Sequence, residues 1–150
     1  DIIGLQEVTP AALPNLIKRF EKDYPYRAFH PVELSHNVGI LSRFPIDKLI
    51  ALPAPPINRG IQVTLRLNDG EPLAVLVTHL IPFYPLIKVL EDSFREAGWG
   101  FGHTFRGRFF PVGRIDYIWH TEDIKTVEAY VGREASSDHF PVIAKLQLTK

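Results

Sequence analysis

Hydrophobic and polar positions alternate along most of this chain, and the spacing is that of strands. In residues 60–67, Ile61, Val63, Leu65 and Leu67 fall on one face and Gln62, Thr64 and Arg66 on the other. That two-residue period predicts a half-buried strand. Asn68-Asp69-Gly70 follows as a hairpin turn. Residues 73–77 read as a fully apolar return strand that ends at Thr78-His79-Leu80. Ile2–Val8, Asn37–Ser42, Ile46–Leu52, Ile124–Val131 and Val142–Leu148 read as further strands, with Lys125 and Glu128 outward. Residues 24–30 read as an edge strand, because Pro25 and Pro31 cannot donate to a central ladder. Residues 113–120 read as a strand carrying Asp116.

The helical period appears in only two places. Leu13, Leu16, Ile17 and Phe20 repeat at helical spacing after Thr9-Pro10, which reads as cap and first turn, with Pro14 as an alternative start. This helix is expected to pack on the core. Residues 82–97 read mainly as a second helix, with Leu86, Val89, Leu90 and Phe94 inward and Gly98 as its stop. Pro53-Ala54-Pro55-Pro56 is a stiff connection, and 99–111 is a long loop of glycine, aromatics and arginine. Many strands, few helices and mixed connections predict an α+β fold, a two-sheet sandwich with helices outside.

Composition bounds this picture. A chain of 150 residues with 45% hydrophobic content is read as a single domain, 1–150, with a real core. Charged content of 23% and a formal net charge of zero exclude a global positive field for a polyanion. The absence of cysteine excludes disulfides and thiolate metal sites. No apolar run reaches transmembrane length and no signal peptide is present. The opening, Asp1-Ile2-Ile3-Gly4-Leu5, reads as the interior of a domain. Neither the compartment nor the oligomeric state is legible.

Candidate chemistry gathers where polar residues end or interrupt apolar strands. Ser137-Asp138-His139 precedes the apolar run Phe140-Pro141-Val142-Ile143-Ala144. Alone, an Asp-His pair in a loop also reads as two solvated turn residues. Glu7 ends the first strand, and faces either solvent or a site; His79 ends another strand, and Asp116 lies within a third. Glu7 and Asp138 are hard oxygen donors that suit magnesium or manganese better than zinc. An acid such as Asp116 beside an imidazole would fix its tautomer, leaving His139 to activate a water. His79 can bond a phosphoryl oxygen or protonate a leaving group. A divalent metal, a base and cationic donors are what attack of water on a phosphate ester requires. The consecutive Ser137-Asp138-His139 is not read as a serine-hydrolase triad, whose members come from separate elements.

Several stretches together resemble the endonuclease/exonuclease/phosphatase superfamily, which includes deoxyribonuclease I-like and exonuclease III-like enzymes. They are Asp1-Ile2-Ile3-Gly4-Leu5-Gln6-Glu7-Val8, Gly39-Ile40-Leu41-Ser42-Arg43-Phe44-Pro45-Ile46, Val77-Thr78-His79-Leu80, Arg114-Ile115-Asp116-Tyr117-Ile118 and Ser137-Asp138-His139-Phe140-Pro141-Val142. They occur in the family's order and span nearly the whole chain. The resemblance implies a four-layer α/β/β/α sandwich and divalent-metal-dependent hydrolysis of phosphate esters with Mg2+ or Mn2+. It implies Glu7 and Asp138 as metal-site carboxylates, His139 as base, Asp116 as its orienting acid and His79 as a phosphate-contacting or acid histidine. Arg59 sits where relatives place a phosphate-binding arginine, and Asn37 is a candidate substrate contact. Glu7, His79, Asp116, Asp138 and His139 are expected to share one cleft.

The chain departs from the family in two respects. It holds no opening strand that ends in a metal-site asparagine, and no Gly-Asp-x-Asn segment after Thr78-His79-Leu80. It therefore reads as an incomplete member, and the alternative to an active enzyme is an impaired remnant serving as a binding or structural module. The expected substrate is a small phosphodiester, a phospholipid headgroup or a nucleic-acid end, with no electrostatic case for long DNA. Arg106, Arg108 and Arg114 with Trp99, Phe101, Phe105, Phe109 and Phe110 read equally as a substrate loop and as a loop packed on a sheet edge. His30, His36, His103 and His120 read as surface or loop residues.

Overall fold

The computed structural model describes residues 1–30, 37–52, 57–80, 90–107, 111–133 and 137–149. It divides into two compact units, Asp1–Tyr84 and Pro85–Lys150. Most of the regular structure is β-sheet, and the helices among the described residues are short.

The first unit is built from two sheets. Strands β1 (Ile2–Val8), β2 (Tyr26–His30) and β3 (Asn37–Ser42) form an antiparallel sheet in the order β1-β3-β2, so β2 is an edge, as its prolines require. Every residue of the central strand β3 is buried. Gly39 pairs with Phe29, and a Cβ at Gly39 would lie 2.2 Å from a ring carbon of Phe29. The absence of a side chain there lets the ring lie across β3. Strands β4 (Ile46–Leu52), β5 (Ile57–Arg66) and β6 (Pro72–Leu80) form the second antiparallel sheet, in chain order. Gly70, at φ +86°, closes the β5–β6 turn, where the Glu71 N–H donates to Asp69 Oδ1 at 3.1 Å.

The sheets share one core. Ala28, Val38 and Ile40 come from the first sheet, and Ile61, Val63, Leu65 and Val77 from the second. The alternation expected on β5 is what the strand shows: Ile61, Val63 and Leu65 are fully buried and Arg66 is exposed. Burying each such aliphatic side chain is worth about 1.5–3 kcal/mol. The return strand β6 is not buried on both faces as its apolar run suggests; Val77 is buried but Leu76 is exposed, because only one face meets the other sheet.

Helix α1 (Leu13–Phe20) starts later than Thr9-Pro10 implies. The Thr9 hydroxyl accepts from the Ala12 N–H at 3.2 Å in the preceding turn, and Ala12 is an N-cap without a side-chain bond. Pro14 stands in the first helical turn, where a missing N–H costs nothing. Leu13, Leu16, Ile17 and Phe20 are half-buried and the other residues exposed, so the helix covers the protein with the expected face although none of its residues is fully buried.

The second unit has short elements: β7 (Glu91–Asp92), α2 (Ser93–Ala97), β8 (Phe105–Arg106), β9 (Pro111–Gly113), β10 (Trp119–His120), β11 (Ile124–Val131) and β12 (Val142–Leu148). They pair as β7 with β10, β8 with β9 and β11 with β12, all antiparallel. The helix expected over 82–97 is described only from residue 90, and there it begins at Ser93. Leu86 and Val89 lie outside the described residues. Asp92 caps α2, its carboxylate accepting from the N–H groups of Phe94 at 3.0 Å and Arg95 at 3.4 Å. Gly98 stops the helix, as expected.

The strand expected over 113–120 is two strand ends with an irregular segment, 114–118, between them. The backbone there is held by side chains rather than by a ladder. Thr104 Oγ1 accepts from both the Ile115 and the Asp116 N–H at 3.0 Å. Arg114 forms a two-point ion pair with the buried Asp92 at 2.9 and 2.5 Å, and its guanidinium lies over the Tyr117 and Phe94 rings. His120 is buried, contrary to its reading as a surface residue. Its Nδ1 donates to Thr121 O at 2.9 Å, while Nε2 lies 2.9 Å from both Glu96 Oε2 and Thr126 Oγ1.

Candidate active site

In the second unit the structure brings Asp116 and His139 together. His139 Nδ1 lies 3.0 and 2.9 Å from the two Asp116 carboxylate oxygens. A carboxylate only accepts, so Nδ1 is the donor, and in the neutral tautomer that this contact selects Nε2 carries the lone pair. Both side chains are partly buried, with 30% of His139 and 23% of Asp116 exposed, so the ring stays open to water. This is an imidazole oriented by an acid, the arrangement of a general base.

Residues 104–106 run beneath this pair. The Thr104 N–H donates to Gly113 O at 2.9 Å, and Thr104 O accepts from the Phe140 N–H at 2.6 Å. Phe105 makes an isolated bridge to His139 and sets its ring edge-on to the imidazole, with centroids 5.4 Å apart. The Arg106 N–H donates to Asp138 O at 2.7 Å. Ser137 Oγ accepts from the His139 N–H at 3.1 Å and lies 3.3 Å from Asp138 Oδ1. Asp138 is exposed, so its carboxylate faces solvent rather than a salt-bridged interior.

In the first unit, Glu7 is exposed near the end of β1 at φ +54°, the described non-glycine residue in the left-handed region. The β1–β3 register slips between Leu5 and Val8, so Glu7 lies at a bulge. Asn37 is buried and its Nδ2 donates to Val8 O at 3.0 Å, which pins the strand just past the bulge. Arg59 and His79 occupy paired positions of β5 and β6, next to the pair Gly60 and Thr78.

Each exposed carboxylate, taken by itself, is a hard oxygen donor of the kind magnesium binds with retained waters. Glu7 and Asp138 are exposed carboxylates, one in each unit, and among the described residues no three His, Asp or Glu gather as a ligand cage. One or two carboxylates with retained waters are what magnesium accepts.

Sequence reasoning missed Thr104 and Asp92, which hold the backbone around Asp116. Asp92 carried a signal, an acid just before a helical run; Thr104 carried none. Arg114, read as a loop cation, is committed to Asp92. Among the loop aromatics, Trp99 is 96% and Phe101 87% exposed, whereas Phe105 packs on His139. Arg108, Phe109 and Phe110 lie outside the described residues, as does His36.

No curated protein matches the chain. Residues 1–92 match the model of the Endonuclease/Exonuclease/phosphatase family. They include Glu7, Asn37, Arg59 and His79, while Asp116, Asp138 and His139 lie beyond them. With that match over more than half its length, the chain belongs to the Endonuclease/Exonuclease/phosphatase family, whose members hydrolyse phosphate esters.

Proposed function

We propose that the chain is a divalent-metal-dependent phosphoesterase in which His139 is the general base, Asp116 orients it and Glu7 is the principal metal ligand. The observation that carries the reading is the two-point contact of His139 Nδ1 with Asp116. It leaves Nε2 as proton acceptor. A water oxygen attacks phosphorus while its proton passes to His139 Nε2, and the bond from phosphorus to the leaving oxygen breaks. His79 and Arg59, at paired positions of β5 and β6, serve as phosphate contacts, with His79 also suited to protonate the leaving oxygen. Asp138, in the second unit, is proposed on its own account as a metal-binding carboxylate. Asn37, expected as a substrate contact, acts in this reading from behind, by fixing the end of β1 that presents Glu7. Magnesium or manganese would supply positive charge to offset that building on the phosphoryl oxygens.

We read residues 1–150 as one domain of the family's four-layer α/β/β/α type. The support is the pair of facing sheets in the first unit and the scarcity of helix. The formal net charge of zero favours a small phosphodiester, a phospholipid headgroup or a nucleic-acid end over long duplex DNA.

The test is hydrolysis of bis-p-nitrophenyl phosphate with magnesium or manganese, with and without chelator. Metal-stimulated release that falls about 10²- to 10⁴-fold in His139→Ala is expected, the range for a lost general base. Glu7→Gln should remove the metal stimulation. Turnover that ignores the chelator, or survives in His139→Ala, would overturn the assignment.

A further inference from the structure

Thr104 is fully buried, yet it is polar and sits on no long strand. Its hydrogen bonds all go to segments that carry the dyad. Oγ1 accepts from the N–H groups of Ile115 and Asp116, each at 3.0 Å. The backbone N–H donates to Gly113 O at 2.9 Å, just ahead of the Asp116 segment, and the backbone carbonyl accepts from Phe140 N–H at 2.6 Å, just after His139. The next residue, Phe105, bridges to His139 and packs its ring edge against the imidazole.

We infer that Thr104 is the positioning residue of the dyad: its hydroxyl fixes the Asp116 backbone while its main-chain carbonyl holds Phe140, so that one residue sets the Asp116–His139 alignment and its side chain sets the Asp116 half of it. This rests on the reading of His139 as base, but its geometry does not. Residues 114–118 lack a ladder partner of their own. A hydroxyl oxygen has two lone pairs, and both are engaged by successive N–H groups. No apolar side chain of the same shape can hold that turn. Valine, the isostere, would take away the oxygen to which both N–H groups donate. Serine keeps the oxygen and loses only a methyl.

The experiment compares Thr104→Val, Thr104→Ala and Thr104→Ser with the unaltered protein. The first readout is the imidazole ¹⁵N and Nδ1–H resonances of His139, which report the Asp116 contact without any substrate. Thr104→Val and Thr104→Ala should shift these toward the pattern of Asp116→Asn, and Thr104→Ser should restore them. The second readout is turnover. Thr104→Val should lower kcat about 10- to 100-fold with KM little changed, the scale for a lost partner that orients a functional side chain. In an Asp116→Asn background the same substitution should add little.

Folded Thr104→Val with His139 resonances unchanged would overturn the inference. So would loss of the fold in both Thr104→Val and Thr104→Ala, which would make Thr104 a folding residue only. If the unaltered protein shows no turnover, the functional reading fails, while the resonances still decide the role of Thr104.

Discussion

In the first unit the fully buried side chains are mainly aliphatic, Ile40, Leu41, Ile61, Val63 and Leu65, on long paired strands. In the second, Phe94 and Ala129 are buried, but so are Asp92, Ser93, Thr104, His120 and Thr126, among short strands and turns. The first kind of interior is held by area removed from water, which is non-directional and tolerant of small shifts. The second is held by hydrogen bonds and ion pairs that work only at a given distance and angle, and whose buried members cost free energy when left unpaired. Irregular backbone carrying Asp116 is thus fixed by named contacts, while the long strands of the first unit are fixed mainly by packing, the bulge at Glu7 with its Asn37 hydrogen bond being the exception.

The largest effect should come from breaking the polar interior. Asp92→Ala removes the α2 cap and strands the Arg114 guanidinium, and the loss should be roughly 3–5 kcal/mol in urea unfolding. Replacing both partners, Asp92→Leu with Arg114→Met, should recover a large part of that loss, because no charge is then left unpaired. A recovery of nothing would break the comparison.

In the aliphatic interior, Leu65→Ala should cost roughly 2–5 kcal/mol by the same measurement. Here no second substitution restores the loss. Val63→Ala, on the same face of β5, should deepen it, and a rescue would show that the first unit is also held by specific contacts.

The second unit should also be the acid-sensitive one, through a carboxylate at the edge of that polar interior. The Thr126 N–H and hydroxyl, with a smaller contribution from His120, hold the Glu96 carboxyl below the ordinary carboxylate range. A group whose folded-state value is depressed contributes stability above its ordinary value and loses it as pH falls through the depressed one. The unfolding midpoint of the unaltered protein should therefore fall on acidification through the carboxylate range, and Glu96→Gln should lower the midpoint at neutral pH and flatten that fall. Parallel acid curves for the two proteins would remove Glu96 from the account.

This contrast explains what was legible in the sequence. The β5 alternation of Ile61, Val63 and Leu65, the β5–β6 turn at Asn68-Asp69-Gly70 and the edge position of β2 were readable because period, turn chemistry and proline each act locally. The pairing of Asp116 with His139 was readable through motif order and not through periodicity. The strand expected around Asp116 was wrong because a distant threonine, not a neighbouring strand, takes its N–H groups. His120 was misread for the same reason: its ring is engaged by Glu96, 24 residues away in sequence, which no local pattern announces. The apolar stripe of α1 was read correctly as a stripe, but a period says which residues share a face and not how deeply that face is covered.

The left-handed backbone at Glu7 sets two properties of the protein against each other. A residue with a Cβ pays about 1–2 kcal/mol to sit at φ +54°, and glycine would not. Glu7→Gly should relieve that backbone cost, offset by glycine's greater freedom in the unfolded chain and by the loss of the Glu7 side chain and its contacts, and circular-dichroism melting gives the balance. The same change deletes the carboxylate and should lower metal-stimulated turnover. On the proposed reading of Glu7 as metal ligand, any backbone relief that glycine brings at this position comes with loss of the carboxylate that reading assigns to the metal.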